Sequence, residues 1–158
     1  MNFLTEHGIS SYGELESKLT AVSARRDTAH AEIKRIESRS AELALVMKHA
    51  GTYRQLKPLY ERYRKSNDKE KFLRGHESEI ILFEAAAREL KRLGAVPLPT
   101  TESMKTELAN LNAEKERLLA EYKAARTEAQ EYETVKQNVD ALLTVPKEQE
   151  QQRRHELE

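Results

Sequence analysis

The 158-residue chain contains no cysteine and no tryptophan, and it has only five glycines and four prolines. Without cysteine there is no disulfide framework and no thiolate chemistry, and a reducing compartment is expected. No apolar run approaches the roughly 18 residues that a membrane-spanning helix needs. The first residues lack the pattern of a signal peptide. These absences predict a cytoplasmic protein without a membrane partner.

The chain also lacks net charge, because 27 basic side chains balance 27 acidic ones. No global attraction to nucleic acid or to a membrane surface is therefore indicated. The balance is not kept locally. Residues 51–100 carry eleven basic and seven acidic side chains, whereas residues 101–158 carry nine and thirteen. These two regions can attract each other or different partners.

No group of residues has the spacing of a catalytic or metal site. The five histidines include no pair at i, i+4 and no His-x-His sequence. They are His7, His30, His49, His76 and His155. His76 shares a helical face with apolar residues, which predicts a core or boundary histidine. The glycines do not form a phosphate-binding loop. We therefore expect no catalytic residue, no metal ligand and no cofactor in this fragment, and no enzymatic activity of its own.

What the sequence does contain is two long heptad patterns, in which core-type positions are spaced alternately by four and three residues. The first comprises Leu15, Leu19, Val22, Arg26, Ala29, Ile33, Ile36, Ser40, Leu43, Met47 and Ala50. The second comprises Met104, Leu108, Leu111, Lys115, Leu118, Tyr122, Ala125, Ala129, Tyr132, Lys136, Val139 and Leu143. Such a repeat is typical of long helices that wind around a partner. Hydrophobic content is 38%, which suits narrow apolar seams better than a thick core.

The chain is expected to divide into three parts. Residues 1–10 are predicted to form a short helix that ends at Gly8. Residues 11–145 are predicted to form an elongated helical domain, and residues 146–158 a frayed tail that lacks core residues. We expect the chain to be part of a longer protein.

Local signals place the helices within the elongated domain. Ser11 and Glu14 form a capping box that opens a first long helix over about 11–50. Gly51 and Pro58 predict a kink or a new helix within 51–58.

A helical insertion is expected over about 53–93. The turn before Asp68 has capping chemistry, and Gly94 ends the insertion. A second long helix is expected over about 101–143, capped by Thr100 or Thr101 and ending before Pro146.

Because the two long helices have similar lengths and are joined by helical segments, the predicted fold is an all-α, coiled-coil-like antiparallel hairpin with shorter helices inserted. A register that pairs positions summing to about 151 places Val22 opposite Ala129 and Leu19 opposite Tyr132. Polar seam residues are expected to fix this register. They are Arg26, Ser40, Lys115 and Lys136, with Glu121 or Glu128 as partners for Arg26.

One basic segment is a candidate binding surface. Its cations are Arg54, Lys57, Arg62, Arg64, Lys65, Lys69, Lys71 and Arg74, with Tyr53, Tyr60, Tyr63 and Phe72 between them. One interpretation is nucleic-acid contact, with phosphates bound by the cations and unpaired bases stacked on the rings. The other is that the aromatic residues follow helical spacing and pack inward, which leaves an ordinary basic face outside.

The segment YRQLKPLYERYRKSNDKEKFLRGHESEIILFEAAARELKRLG (residues 53–94) resembles the helical region downstream of the nuclease domain in relaxases. These mobilisation nucleases belong to plasmids and integrative conjugative elements. The sequences NFLTEHGISSYGELESKL (residues 2–19) and YETVKQNVDALL (residues 132–143) are similar to the same region. The resemblance thus covers most of the chain.

The resemblance implies a parent protein that nicks a DNA strand with a tyrosine nucleophile and a histidine-bound metal. The family's His-x-His is absent here, and none of the six tyrosines lies in the nuclease motif. The implied function is a non-catalytic accessory or scaffold domain in the bacterial cytoplasm. Its implied partners are other parts of its own longer chain, relaxosome or coupling proteins, or a second copy. The alternatives are a DNA-binding module that uses the basic 54–74 segment, and a general coiled-coil interaction protein unrelated to conjugation.

Overall fold

The computed structural model describes His7, Ile9 and residues 11–156, with side chains described as far as Leu143. It contains three helices, which we number α1 (Tyr12–Lys65), α2 (Lys69–Arg92) and α3 (Thr101–Glu156). No strand occurs among these residues, and the all-α fold class is confirmed. The short helix expected in residues 1–10 falls almost entirely outside the described residues.

Each helix begins after a polar side chain that caps it. In all three, a side-chain oxygen accepts a hydrogen bond from the backbone N–H three residues later, which satisfies a donor that the first turn leaves free. The pairs are Ser11 with Glu14 at 3.2 Å, Asp68 with Lys71 at 3.1 Å, and Thr100 with Ser103 at 3.1 Å.

The C-terminus of α2 ends in a glycine-dependent motif. The N–H of Ala95 donates to the carbonyl of Leu90 at 2.9 Å, and the N–H of Gly94 donates to the carbonyl of Lys91 at 3.1 Å. Gly94 has φ +70°, a left-handed conformation that glycine adopts at little steric cost. The sequence therefore located this helix end correctly.

Helix α1 differs from the sequence expectation, because it continues without a break through Gly51 and Pro58. A proline inside a helix removes one hydrogen bond and crowds the preceding turn, which costs about 3 kcal/mol. Packing on both sides of the proline offsets this loss. Ala50 is fully buried, and the rings of Tyr53 and Tyr60 stack on Phe83.

Helix α3 also extends further than expected, since its backbone remains helical to Glu156 rather than ending near Leu143. The residues after Pro146 are mostly lysine, glutamate, glutamine and arginine, all of which have high helix propensity. A proline alone did not end the helix in this context.

Helix α2 is irregular at one point. His76 has φ −137° and ψ 25°, which are not helical values, and it follows Gly75. Glycine in a helix interior leaves the backbone less restrained than alanine would. The kink therefore lies directly after a residue with little backbone restraint.

The chain forms two compact units. The terminal unit comprises residues 1–33 and 116–158, and the central unit comprises residues 34–115.

In the terminal unit, contacts between α1 and α3 run in antiparallel order. Advancing along α1, they are Tyr12 with Asp140, Glu16 with Lys136, Arg25 with Glu128, and His30 with Tyr122. The core between the helices contains Leu15, Val22, Ala125, Ala129 and Tyr132, with Leu19 packed against it. Val22, Ala129 and Tyr132 are members of this cluster and Leu19 packs against it, while the pairing of individual residues stays a prediction.

The central unit adds α2 to the α1–α3 pair. Ion pairs join α1 to α3 in antiparallel order: Arg35 with Glu114 and Arg39 with Glu107. Helix α2 contributes the buried residues Ile80, Phe83, Ala86 and Leu90. This unit therefore buries more large side chains than a two-helix seam can.

Burial follows the heptad pattern closely at one position in each repeat. Every seventh residue is buried in α1 from Leu15 to Ala50 and in α3 from Met104 to Tyr132. The alternate seam positions are mostly half-buried, and Leu143, which was expected on the seam, is 59% exposed. Val46 is buried although it lies outside the predicted pattern.

Two polar seam residues form ion pairs between helices. Lys115 Nζ lies 3.5 Å from Glu37, and Lys136 Nζ lies 3.8 Å from Glu16. The role of these residues in fixing the register stays a prediction.

Arg26 does not follow the same prediction. It pairs with its neighbour Asp27 at 3.0 Å, and Glu128 pairs with Arg25 instead at 3.3 Å. Glu128 thus pairs with the residue that precedes Arg26, and Glu121 pairs with Arg117 on its own helix at 2.8 Å.

Candidate nucleic-acid interface

The predicted basic segment is a surface around the turn that joins α1 to α2. Its eight cations are Arg54, Lys57, Arg62, Arg64 and Lys65 on α1, and Lys69, Lys71 and Arg74 on α2. We call these eight residues the basic surface. All eight are exposed. The turn thus joins the cations in the last turn of α1 to those at the start of α2. Arg54 lies eleven residues before the end of α1, beside Pro99 and Thr101.

None of the eight has a carboxylate partner among the described residues, although carboxylates are abundant in the chain. Glu61, Asp68 and Glu70 lie in the same segment and do not form ion pairs with them. The situation is different elsewhere, where many cations do pair. Ion-paired arginines are Arg25, Arg26, Arg35, Arg39, Arg92 and Arg117. The basic surface is therefore a concentration of uncompensated positive charge.

Three of the eight cations do contact other parts of the central unit. Arg54 donates hydrogen bonds to Thr101 Oγ1 at 2.8 Å and to the carbonyl of Pro99. Lys57 Nζ lies 5.9 Å from the centre of the Tyr53 ring, and the Arg62 guanidinium lies 5.8 Å from that of Phe72. These contacts are with neutral groups, so they leave the charges uncompensated.

The aromatic residues between the cations pack against one another. Tyr53 and Tyr60 stack on Phe83 with ring centres 4.8 and 4.3 Å apart. The ring centres of Tyr63 and Phe72 are 6.0 Å apart, and those of Phe72 and His76 are 4.7 Å apart. All are at least partly buried. This arrangement favours inward packing over the stacking of unpaired bases.

The two helix ends differ in how they tolerate the cations. Arg62, Arg64 and Lys65 occupy the last turn of α1, where positive charge is favourable because the helix dipole is negative there. Lys69 and Lys71 occupy the first turn of α2, where the dipole has the opposite sign. Each is unfavourable there by about 0.3–1 kcal/mol. Helix stability therefore does not account for these two lysines.

A shallow groove of about 500 Å³ lies between α1 and α2 beside the basic surface. It is lined by Tyr53, Lys57, Tyr60, Glu61 and Arg64 of α1 and by Phe83, Glu84, Ala87 and Arg88 of α2. Arg88 was missed by the sequence analysis, because it is 14 residues beyond the last cation of the segment. Helical spacing alone does not show that α2 folds back along α1.

His76 occupies the position expected for a boundary histidine, since it is partly buried. Its Nδ1 is buried without a hydrogen-bond partner, and the nearest carboxylate oxygen, Glu79 Oε1, lies 3.8 Å away. Across the part of the chain that the structure describes, no three His, Asp or Glu side chains lie close enough to hold a metal ion.

Two side-chain pairs away from the basic surface have shifted acid–base equilibria. The Tyr12 hydroxyl donates to Asp140 Oδ1 at 2.6 Å, and this bond raises the pKa of Tyr12 to about 12. The Arg39 guanidinium donates to both carboxylate oxygens of Glu107, at 2.7 and 3.1 Å. This bidentate bond lowers the pKa of Glu107. Both pairs join α1 to α3.

In the part of the chain with an assigned structure, no helix combines the length and hydropathy that would let it cross a membrane. Comparison with protein families, curated proteins and solved structures gave no match.

Proposed function

We propose that the chain is a non-catalytic helical accessory domain of a conjugative relaxase, which serves as a scaffold for protein contacts in the DNA-mobilisation complex. The family assignment depends on the resemblance of residues 53–94, supported by residues 2–19 and 132–143. The structural observation that supports a scaffold is the length of α1 and α3, at 54 and 56 residues. Helices that pack through narrow seams keep most of their surface exposed for partners.

The detailed architecture belongs to the same proposal. The two long helices form an antiparallel, coiled-coil-like hairpin with helical structure inserted between them. The antiparallel order of contacts within each unit supports this arrangement. One inserted helix, α2, is present where the sequence suggested several.

The proposed partners are the rest of a longer parent chain, other relaxosome proteins or a coupling protein, and a second copy of the same chain. The proposed location is the bacterial cytoplasm.

The coding sequence upstream of this segment tests the family assignment most directly. We expect it to encode a nuclease domain with a His-x-His metal site and a tyrosine nucleophile. A coding sequence without such a domain would reject the relaxase assignment and favour the general coiled-coil alternative.

The scaffold role is tested by deleting residues 11–143 from the parent protein. We expect nicking of origin DNA by the purified protein to be retained, because catalysis lies elsewhere, whereas the frequency of plasmid transfer falls. A matched variant replaces the same residues with an unrelated helical hairpin of equal length. If this replacement restores transfer, the domain is only a spacer and the scaffold proposal is wrong.

A second candidate function is direct DNA binding by the basic surface. The observation that favours it is the exposure of all eight cations without a carboxylate partner among the described residues.

A further inference from the structure

We propose that the basic surface binds the phosphate backbone of nucleic acid and does not read the bases. This inference specifies the ligand chemistry of the second candidate function and is independent of the scaffold proposal. It rests on the contrast, within one segment, between cations that have no carboxylate partner among the described residues and aromatic rings that pack against one another.

The cations have the properties that phosphate binding requires. Five of them have neither an ion pair nor a ring contact among the described residues, and they lie on both sides of one turn. They are Arg64, Lys65, Lys69, Lys71 and Arg74. A phosphate that docks here does not have to displace a protein carboxylate, so little of the electrostatic attraction is lost to competing ion pairs.

The position of the cations also indicates an external anion. Lys69 and Lys71 lie at the positive end of the α2 dipole, where they repel the helix terminus. Asp68, as the N-cap, and Glu70, in the first turn, offset part of this repulsion. A polyanion that lies across the turn offsets the remainder.

The rings, by contrast, are already engaged by protein neighbours. Tyr53 and Tyr60 share Phe83 as a stacking partner, and Phe72 lies between Tyr63 and His76. The surfaces turned towards Phe83 and Phe72 are not available for a base unless α1 separates from α2. Stacking recognition of single strands depends on accessible ring faces. Base identity and base presence should therefore contribute little to affinity.

The groove beside the surface does not alter this conclusion. Glu61 and Glu84 line it together with Lys57, Arg64 and Arg88. The two carboxylates offset two of the three cations in the groove. Residues 64–74 carry five cations against two carboxylates, so the contact is expected on the open face around these residues.

The test measures binding of the whole chain to three fluorescently labelled ligands of equal length. These are duplex DNA, a base-containing single strand, and an abasic single strand that keeps only sugar and phosphate. We expect the two single strands to bind with affinities within about threefold of each other, since backbone contacts supply essentially all of non-specific binding. For about five phosphate contacts, affinity should fall roughly 500-fold for the duplex and roughly 130-fold for the single strands between about 50 and 200 mM salt.

Charge-reversal variants locate the contact. The test variant combines Arg64→Glu, Lys65→Glu, Lys69→Glu and Lys71→Glu, and we expect it to lose binding by more than about 100-fold. The matched control makes the same change in net charge at four exposed lysines elsewhere, with Lys48→Glu, Lys91→Glu, Lys105→Glu and Lys123→Glu. The control should lose far less. Circular dichroism of both variants must show retained helix content.

Four results would overturn the inference. Absence of binding below about 100 μM at low salt rejects the nucleic-acid candidate as a whole. A base-containing strand that binds more than about tenfold tighter than the abasic one rejects backbone-only recognition and leaves DNA binding intact. Competition by polyglutamate as strong as by the abasic strand at equal charge points to an acidic protein partner instead. Equal losses in the two variants show that the contact is not localised.

Discussion

At the scale of single residues, the most informative contacts are those that join α1 to α3 through charged or hydrogen-bonding groups. Tyr12 with Asp140 and Arg39 with Glu107 each join positions more than 60 residues apart in the sequence. Both pairs lie at the edge of an apolar seam, where one partner shifts the pKa of the other. They can be probed one at a time by titration and substitution.

The hydroxyl of Tyr12 should ionise near pH 12 instead of near 10, because ionisation breaks its hydrogen bond to Asp140 and places two negative charges together. NMR titration of ring carbons, with Tyr12→Phe to assign the signal, measures this pKa. Since the folded-state pKa is raised, the contribution of the bond to stability is complete below pH 10 and is lost as pH rises towards 12.

Replacement of the acceptor gives the control. In Asp140→Ala the Tyr12 pKa should return towards about 10. If the pKa stays near 12 in that variant, the cause of the shift is not the bond to Asp140.

The Arg39–Glu107 pair should contribute modestly to stability. Both side chains are 40% exposed, so solvent weakens the interaction, and a double-mutant cycle with Arg39→Ala and Glu107→Ala should give about 0.5–1 kcal/mol. Because the pKa of Glu107 is lowered, this contribution is present above the carboxylate's ordinary pKa of 4.5 and is lost as pH falls below it.

The matched cycle uses Arg92 and Glu89, a pair one turn apart within α2. We expect a smaller interaction energy there, because Arg92 is 61% exposed and solvent screens the pair more strongly. A larger value for the pair within α2 would contradict our assignment of Arg39 as a link between helices.

At the scale of helices, sequence signals located helix starts more reliably than helix continuations. The three caps and the end at Gly94 depend on local chemistry, so the sequence was sufficient to find them. The passage of α1 through Gly51 and Pro58 depends on Phe83, which is 25 residues beyond Pro58. Contacts of this kind cannot be read from local spacing.

Replacement of glycine by alanine should have opposite effects on the free energy of unfolding at Gly94 and at Gly51. Gly94→Ala should destabilise the protein by about 1–2 kcal/mol, because alanine is strained at φ +70°. Gly51→Ala should stabilise it by about 0.4–1 kcal/mol, because an added Cβ in this helical position meets no atom within 4 Å.

Chemical denaturation of both variants measures these changes in unfolding free energy. Equal signs for the two would show that backbone conformation at these glycines is not what distinguishes them.

At the scale of the whole molecule, the sequence predicted the seams but not the division into two units. The heptad pattern is continuous along each long helix, yet the terminal unit has a small core of Leu15, Val22, Ala125, Ala129 and Tyr132. The central unit buries further large residues, including Ile36, Leu43 and, from α2, Phe83. The basic surface was likewise predicted as a set of residues, and inward packing of the aromatic residues between them was one of the two interpretations. Their partner Phe83 could be found only from how α2 lies on α1.

The difference between the two cores should appear in local stability. We expect backbone amides of residues 34–50 in the central unit to exchange with deuterium more slowly than those of residues 16–32 in the terminal unit, since larger buried side chains resist local opening. Hydrogen-exchange mass spectrometry of the intact chain measures both segments of the same helix. Equal protection of the two segments would show that the difference in core composition has no energetic consequence.

The strict burial of every seventh residue limits how such a protein can change in length. One extra residue in α1 rotates everything after it by about 100° about the helix axis, which turns the buried row towards water. Seven extra residues restore the orientation of the buried row about the helix axis to within about 20°. Matched insertions of whole heptads, one in α1 and one at the opposite position in α3, would therefore lengthen both helices while their buried rows still face each other.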